Sequence, residues 1–426
     1  MAGLKSLKGQ GHAPTLFMAF LYFDMSFMVW TMMGPLATEI SEALALTGHI
    51  MTAGEKATLL SLPVLSGAIL RILLGFGVDK FGPKMTALMA QAVVIVSLFS
   101  AYFMGENISY TALLFVALGL GFAGASFAVA LPQAGQWYPP KLQGIVLGIA
   151  GAGNIGVVID YLFAPKIAEK WGWDVVFLVG GMMAVVVFFA YLFLAKDAPE
   201  SVYKARPKKL KDYGKLLKDK DTWWFSLFYA ISFGGFVGLA GYMKVYLMNT
   251  YAVDMEAFGL DILDEPNVKV IAGYFGALCI FAGAVLRPGG GELADKIGGV
   301  KALYFFFGAA FVLIAMNAMV TLPFSAAIAT LFLIMASLGM ANGAVFQLVP
   351  QRFGKDMGIM TGIVGAAGGF GGTAVIQVLG WSKGEFGSYA AGFAIFSGVT
   401  IIAIIGLSLV KTRWRTTWGL KSGGMI

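Results

Sequence analysis

The stretch Ser66-Gly67-Ala68-Ile69-Leu70-Arg71 decides how this chain is interpreted. It lies inside an apolar run from Ala57 to Val78, in which Arg71 is the only charged residue. A similar stretch, Ala282-Gly283-Ala284-Val285-Leu286-Arg287, follows 216 positions later. An arginine at the centre of a membrane-length helix costs roughly 2.5–3.5 kcal/mol even on the mildest insertion scale. Two such arginines at matching positions therefore indicate a functional site.

The composition is that of a membrane protein. Hydrophobic residues make up 58% of the 426 residues and charged residues only 12%, whereas soluble domains carry about 25% charged residues. Apolar runs of membrane length fill the chain, so we predict an all-α integral membrane protein with twelve transmembrane helices. The predicted spans are 15–38, 57–78, 85–104, 110–134, 143–165, 174–195, 223–249, 268–290, 302–321, 325–349, 357–380 and 389–410.

The charges indicate how the chain is oriented in the membrane. Nine of the lysines and arginines lie between Lys196 and Asp221, and more follow residue 410, whereas the loop at 250–267 is acidic. Because basic loops remain on the cytoplasmic side, we expect both termini in the cytoplasm and the protein in the cytoplasmic (inner) membrane. The basic segment has no interleaved aromatic residues, so no nucleic-acid partner is expected.

An internal repeat accompanies the two arginines. Arg71 is followed eight positions later by Asp79, and Arg287 by Asp295. Two glycine-rich runs, at 144–152 and 358–366, match at nearly the same offset. A repeat of this kind is typical of transporters whose substrate site lies between two halves near the membrane midplane. The predicted units are an N-terminal six-helix half (1–195), a basic cytoplasmic linker (196–222) and a C-terminal six-helix half (223–426).

Two interpretations of the arginines remain open. A salt bridge to intramembrane Asp24 or Asp160 would satisfy one of them. Alternatively, the pair clamps an anion: guanidiniums about 8 Å apart repel by roughly 2 kcal/mol, whereas a monoanion about 4 Å from both gains roughly 4 kcal/mol from each. The guanidinium fork also matches planar oxyanions in a way that lysine does not. We favour the clamp.

The arrangement of six plus six helices resembles the major facilitator superfamily. A second resemblance is the loop Gly77-Val78-Asp79-Lys80-Phe81-Gly82-Pro83-Lys84, which has a related segment at 291–296 in the second half. Within it, the glycine-rich runs at 148–156 and 362–372, together with the arginine pair, look like the nitrate/nitrite porters, the NarK-type transporters. The alternative for the glycine runs is helix packing alone. The sequences at 23–30 and 341–350 are similar to that family too.

The resemblance implies a substrate site. The arginines match the pair that grips the anion, Tyr229 matches a tyrosine that hydrogen-bonds it, and Phe127 and Phe233 match the aromatic residues on either side. For the two phenylalanines, packing or contact with lipid is the alternative. The candidate substrate-binding residues are Arg71, Arg287, Tyr229, Phe127, Phe233, Asn154, Gly153 and Gly368.

Four acidic residues are candidates for coupling and gating. An intramembrane carboxylate is a candidate proton carrier, so Asp24 and Asp160 are assigned to proton coupling. Asp24 could equally lock Arg71, and Asp160, near the outer end of its helix, is expected to be solvated. Asp79 and Asp295 match the inner-gate loops of the superfamily, and we assign both to gating.

The predicted function is secondary active transport of nitrate, and of nitrite, by alternating access. An interior-negative potential opposes anion entry by about 2.3 kcal/mol per 100 mV, so uptake requires either proton symport or exchange for another anion. Asp24 favours symport. Nitrate/nitrite antiport, transport of another small anion such as formate, and a non-transporting sensor are the alternatives. No enzyme activity, cofactor or metal is expected. The expected partners are nitrate, nitrite, protons and membrane lipid, and the expected functional unit is a monomer.

Overall fold

The computed structural model describes residues 9–139, 142–199, 210–263, 267–353, 357–419 and 426. Regular structure in these ranges is helical, which confirms the all-α prediction. The α-helices are α1 (Ala13–Trp30), α2 (Ala37–Leu46), α3 (Ala53–Phe81), α4 (Pro83–Met104), α5 (Tyr110–Gly124), α6 (Phe127–Gln136), α7 (Gln143–Gly151), α8 (Gly156–Trp171), α9 (Trp173–Leu194), α10 (Leu210–Leu217), α11 (Lys220–Phe258), α12 (Val268–Ile297), α13 (Gly299–Met319), α14 (Phe324–Phe353), α15 (Met357–Phe386) and α16 (Ala390–Trp414).

The helices make up the twelve predicted membrane crossings. In the described ranges, eleven helical segments are long and apolar enough to cross a membrane. The remaining crossing is the fifth, which a 3₁₀ segment, Ala152–Ile155, divides into α7 and α8. Helix α1 passes very close here: a Cβ on Gly156 would lie 2.1 Å from the carbonyl oxygen of Asp24. The glycine run therefore interrupts this helix and also allows α1 to approach it closely.

Several predicted helix boundaries were wrong. The first span, predicted at 15–38, ends at Trp30 and resumes as α2 after a turn. The fourth, predicted at 110–134, breaks between α5 and α6. The seventh extends to Phe258, so much of the acidic loop predicted at 250–267 is helical. Hydropathy marks the apolar part of a helix, and it does not locate the residue at which the backbone stops being helical.

Two glycine turns confirm the internal repeat. Gly82 (φ +80°) separates α3 from α4, and Gly298 (φ +95°) separates α12 from α13, again 216 positions apart. Glycine adopts this left-handed conformation without the steric cost of a side chain. Asp79 and Asp295 are exposed just before these turns, and their gating role remains a prediction. The carboxylate that caps the N-terminus of α4 is Asp197, which accepts a hydrogen bond from the Lys84 backbone N–H (2.9 Å).

An even number of crossings places both ends of the described chain on one side of the bundle, here called the proximal side; the opposite side is the distal side. On the distal side the first six crossings pack tightly against the last six. Gln377 donates to the Ser61 hydroxyl (2.8 Å), and a Cβ on Gly273 would lie 2.7 Å from the carbonyl oxygen of Tyr161. Helix α8 packs extensively on α12, whereas α7, its continuation towards the proximal side, does not. Between these two crossings the close packing is therefore confined to the distal part.

The predicted division at 1–195, 196–222 and 223–426 remains a prediction. Residues 200–209 of the basic segment and residues 420–425 of the basic tail lie outside the described residues. Helix α11 begins at Lys220, slightly before the predicted linker ends.

Candidate anion-binding site

Arg71 lies at the contact between the two groups of crossings. Its side chain is fully buried. The Nε donates to the Gly124 carbonyl (3.0 Å) in the first group, and Nη1 donates to the Gly365 carbonyl in the last group. The remaining nitrogen, Nη2, is buried without a hydrogen-bond partner. A charged donor left unpaired in the protein interior is costly, so this nitrogen is suited to receive an anion.

The salt-bridge interpretation of the arginines is wrong for this structure. Among the described residues, no carboxylate forms an ion pair with Arg71 or Arg287. The Asp24 carboxylate instead interacts with the Gly156 backbone. Asp160 lies under the electrostatic influence of Lys244. In the described chain, therefore, no carboxylate neutralises either arginine by ion pairing.

Aromatic rings surround the Arg71 guanidinium. Its carbon lies 5.4 Å from the ring centre of Trp30, 5.6 Å from that of Phe127 and 5.2 Å from that of Phe233. Each such cation–π contact contributes about 0.5–2 kcal/mol. Phe127 and Phe233 are both buried, so the lipid-facing alternative for them is wrong. The rings exclude water from the charge without neutralising it.

Arg287 and Tyr229 complete the group of donors. Arg287 and Arg71 are close enough to repel each other, and Tyr229 lies within electrostatic range of both. Although Tyr229 and Arg287 are neighbours, strict hydrogen-bond geometry gives neither the phenol oxygen nor Arg287 Nη1 a partner. The phenol ring stacks on Phe233, with ring centres 5.0 Å apart. Three unpartnered groups from α3, α11 and α12 thus lie around one site.

Glycines of α15 make room for this arrangement. A Cβ on Gly368 would lie 2.7 Å from Cδ1 of both Phe233 and Tyr229, and Gly365 supplies the carbonyl that holds Arg71. Gly153, in the other glycine run, instead lets α1 approach, since a Cβ there would lie 2.7 Å from the Asp24 nitrogen. Asn154 is buried, and its Oδ1 has no partner. The binding roles of Gly153 and Asn154 remain predictions.

Comparison with known proteins identifies the family. The model of the Major Facilitator Superfamily matches residues 15–376. The chain belongs to the Major Facilitator Superfamily. Its members are transporters rather than enzymes, as the sequence predicted.

Several curated members of the superfamily resemble this chain over most of its length. The "Nitrite extrusion protein" of Bacillus subtilis (strain 168) is 32% identical over 384 residues, which cover 89% of each chain. The "Probable nitrate/nitrite transporter NarK2" of Mycobacterium tuberculosis is 30% identical over 92% of this chain and 95% of its own. The "Probable nitrate/nitrite antiporter NarK1" of Thermus thermophilus is 25% identical over 95% and 91%. The predicted resemblance to nitrate/nitrite porters is confirmed.

The fold agrees with a solved structure of the same superfamily. A bacterial homologue of the human lysosomal transporter Spinster, in an inward-facing and occupied conformation, matches with a TM-score of 0.68. The match covers 96% of this chain and 97% of that chain at 17% sequence identity. At this identity the likeness shows the fold alone.

Two aromatic residues of the anion site, Trp30 and Phe346, were not predicted from the sequence. Trp30 packs on Arg71, and its Nε1 donates to the Pro63 carbonyl (2.8 Å). The Phe346 ring lies edge-on to Tyr229 and 5.9 Å from the guanidinium carbon of Arg287. Both belong to runs already quoted for their resemblance, at 23–30 and 341–350. With 35 phenylalanines in the chain, only the fold could separate Phe346 from the others.

Phe346→Leu is expected to weaken anion binding about two- to thirtyfold. Leucine keeps the site apolar but removes the ring beside Arg287 and Tyr229, a loss of about 0.5–2 kcal/mol. Titration of nitrate into the purified protein would measure this change. Phe370→Leu, on the exposed face of α15, is the matched control and should bind as the unmodified protein does. Equal affinities for the two variants would contradict a role for Phe346.

Proposed function

We propose that this protein is a secondary active transporter of nitrate and nitrite in the cytoplasmic membrane, working by alternating access. One observation carries the proposal. Arg71 and Arg287, from the two groups of crossings, lie within electrostatic range with unpartnered nitrogens and no carboxylate partner in the described chain. The names of the relatives, which include nitrate and nitrite transporters, agree with this chemistry.

The chemistry of the site suits a small planar monoanion. Two guanidiniums each gain roughly 4 kcal/mol from a monoanion about 4 Å away at an effective dielectric of 20. The surrounding rings leave few places for water, so an anion that keeps a tight hydration shell is disfavoured. Nitrate and nitrite are flat and weakly hydrated, and a guanidinium fork can bind their oxygens in plane.

The packing of the crossings supports alternating access. The two groups are joined by close contacts at the distal side. The basic segment and the basic tail assign the proximal side, with both termini, to the cytoplasm. On this assignment the distal contacts close the extracellular side of the protein. The two six-helix halves, 1–195 and 223–426, would rock about the anion, each contributing one arginine, and a monomer surrounded by lipid suffices.

Two coupling modes are candidates. Symport with protons is favoured because an anion entering alone moves against the membrane potential, and because Asp24 and Asp160 place carboxyl groups inside the bundle. Nitrate/nitrite antiport is the second candidate, favoured by the name of the Thermus relative. Exchange of one monoanion for another is electroneutral and needs no proton.

Nitrate uptake into proteoliposomes would distinguish proton symport from nitrate/nitrite antiport. With acid outside and neutral buffer inside, uptake of labelled nitrate is expected to rise several-fold over that at equal pH. Internal nitrite with no pH gradient should stimulate uptake only if the protein is an antiporter. Formate in excess should leave nitrate uptake unchanged. Uptake driven by nitrite alone would contradict symport, and labelled formate uptake unaffected by nitrate would contradict the assignment of substrate.

A further inference from the structure

A buried ionic cluster lies on the distal side, away from the anion site. It consists of Glu39 on α2, Asp160 on α8 and Lys244 on α11, and is here called the distal cluster. The Lys244 side chain is 0% exposed, and its Nζ donates to Glu39 Oε1 at 2.6 Å and to the Pro35 carbonyl. The lysine thus fastens the seventh crossing to the segment that joins the first two.

The distal cluster holds one more carboxyl group than its lysine can balance. Asp160 was expected to be solvated, and that expectation is wrong, because the residue is only 3% exposed. Its Oδ2 has no hydrogen-bond partner, and neither has Oε2 of Glu39. Lys244 is the cation that acts on Asp160, yet its ammonium is already bonded to Glu39. An ionised, unpaired carboxylate in such a place is strongly disfavoured.

Several other charged and titratable groups lie on the described helices around the distal cluster. The phenol of Tyr161 donates to the Ala240 carbonyl. Lys269 is paired with Glu42, and both side chains are partly exposed. Lys56 on α3 is a second lysine within electrostatic range of Glu42. The other charged residues on α8 and on the helices packed against it are Asp24 on α1, Asp174 on α9, Lys166, Glu169 and Lys170 on α8, and Arg287, Glu292, Asp295 and Lys296 on α12, of which Arg287 belongs to the anion site. Lys166 lies over the Tyr274 ring at 5.0 Å, facing α12.

We propose that the distal cluster is a proton-binding site, at which Asp160 takes up one proton whenever the distal side closes. The proposal rests on the proposed function in that it requires alternating access. When the distal side opens, Lys244 separates from Glu39, water reaches all three side chains and Asp160 ionises. Closure removes that water, so the carboxylate binds a proton from the distal solution and becomes neutral. Acid on the distal side therefore favours the closed arrangement.

Spin labels across the distal side would test this. Cysteines replacing Leu46 on α2 and Val253 on α11, which are 91% and 80% exposed, carry the labels, and buried Cys279 is replaced by alanine. The full chain is measured in lipid nanodiscs without nitrate, from pH 8 to pH 5. The short-distance population is expected to grow as the pH falls. In Asp160→Asn, a mimic of the protonated acid, it should be large and constant at every pH.

Two further variants sharpen the test. Lys244→Gln leaves two buried carboxyl groups with no cation, so closure should require more protons and depend more steeply on pH. Lys269→Gln removes the exposed lysine of the neighbouring pair and should titrate as the unmodified protein does. An Asp160→Asn variant that keeps the normal pH dependence would overturn the proposal, as would a Lys269→Gln variant that loses it. The spin-label measurements are made without nitrate. A failure to transport nitrate in a separate uptake experiment would therefore contradict the proposed function, but it would not contradict this inference.

Discussion

Arg71→Lys is expected to reduce nitrate uptake sharply at substrate concentrations near the KM of the unmodified protein. Lysine keeps the charge but loses the planar fork, so it cannot hold the carbonyls of Gly124 and Gly365 and offer a third nitrogen to the anion. Loss of one hydrogen bond to a charged group costs about 1.5–3 kcal/mol, which is roughly a 10- to 150-fold loss of affinity. Labelled uptake into proteoliposomes and calorimetric nitrate binding would both report it.

The matched control is Arg415→Lys, an exposed residue just after α16. It makes the same chemical change far from the site, and normal uptake is expected. Arg287→Lys should behave as Arg71→Lys does, because each arginine offers an unpartnered nitrogen. Normal nitrate affinity in either site variant would refute the clamp.

Gly368→Ala is expected to raise the KM for nitrate about 5- to 150-fold, although it adds a single methyl group. The new Cβ would lie 2.7 Å from ring carbons of Tyr229 and Phe233. These rings are stacked on each other and buried, so they cannot move away without displacing the phenol hydroxyl. Overpacking of this kind costs about 1–3 kcal/mol. The concentration dependence of nitrate uptake would measure the change.

The same helix supplies the control for this substitution. A Cβ on Gly362, nearly two turns earlier in α15, would meet nothing within 4 Å. Gly362→Ala should therefore keep the KM, and it should slightly stabilise the helix because alanine has a higher helix propensity than glycine. Equal KM values in the two variants would show that Gly368 does not position the aromatic pair.

Much of the architecture was already present in the sequence. The number of crossings and the pairing of Arg71 with Arg287 follow from apolar length and from a repeat of 216 residues, since the membrane forces each apolar run into a helix that satisfies its own backbone. The two arginines of the clamp could also be identified from the sequence. Charge is so costly inside a membrane that a lone arginine stands out against its surroundings.

Breaks within helices could not be predicted in this way. The interruptions between α1 and α2, between α5 and α6, and at Ala152–Ile155 lie inside apolar sequence. They depend on which helix passes nearby, as Gly156 shows with α1.

Only the tertiary structure decided which groups are paired. The sequence allowed Arg71 to meet Asp24 or Asp160, and the fold gives it two carbonyls and three rings instead. The sequence predicted that Asp160 lies near water, whereas the fold buries it within electrostatic range of Lys244. No role was predicted for Lys244 from the sequence. Hydropathy and spacing determine which segments enter the membrane. Hydrogen bonds and ion pairs join residues as far apart as Arg71 and Gly365, and their partners are fixed only when the helices pack.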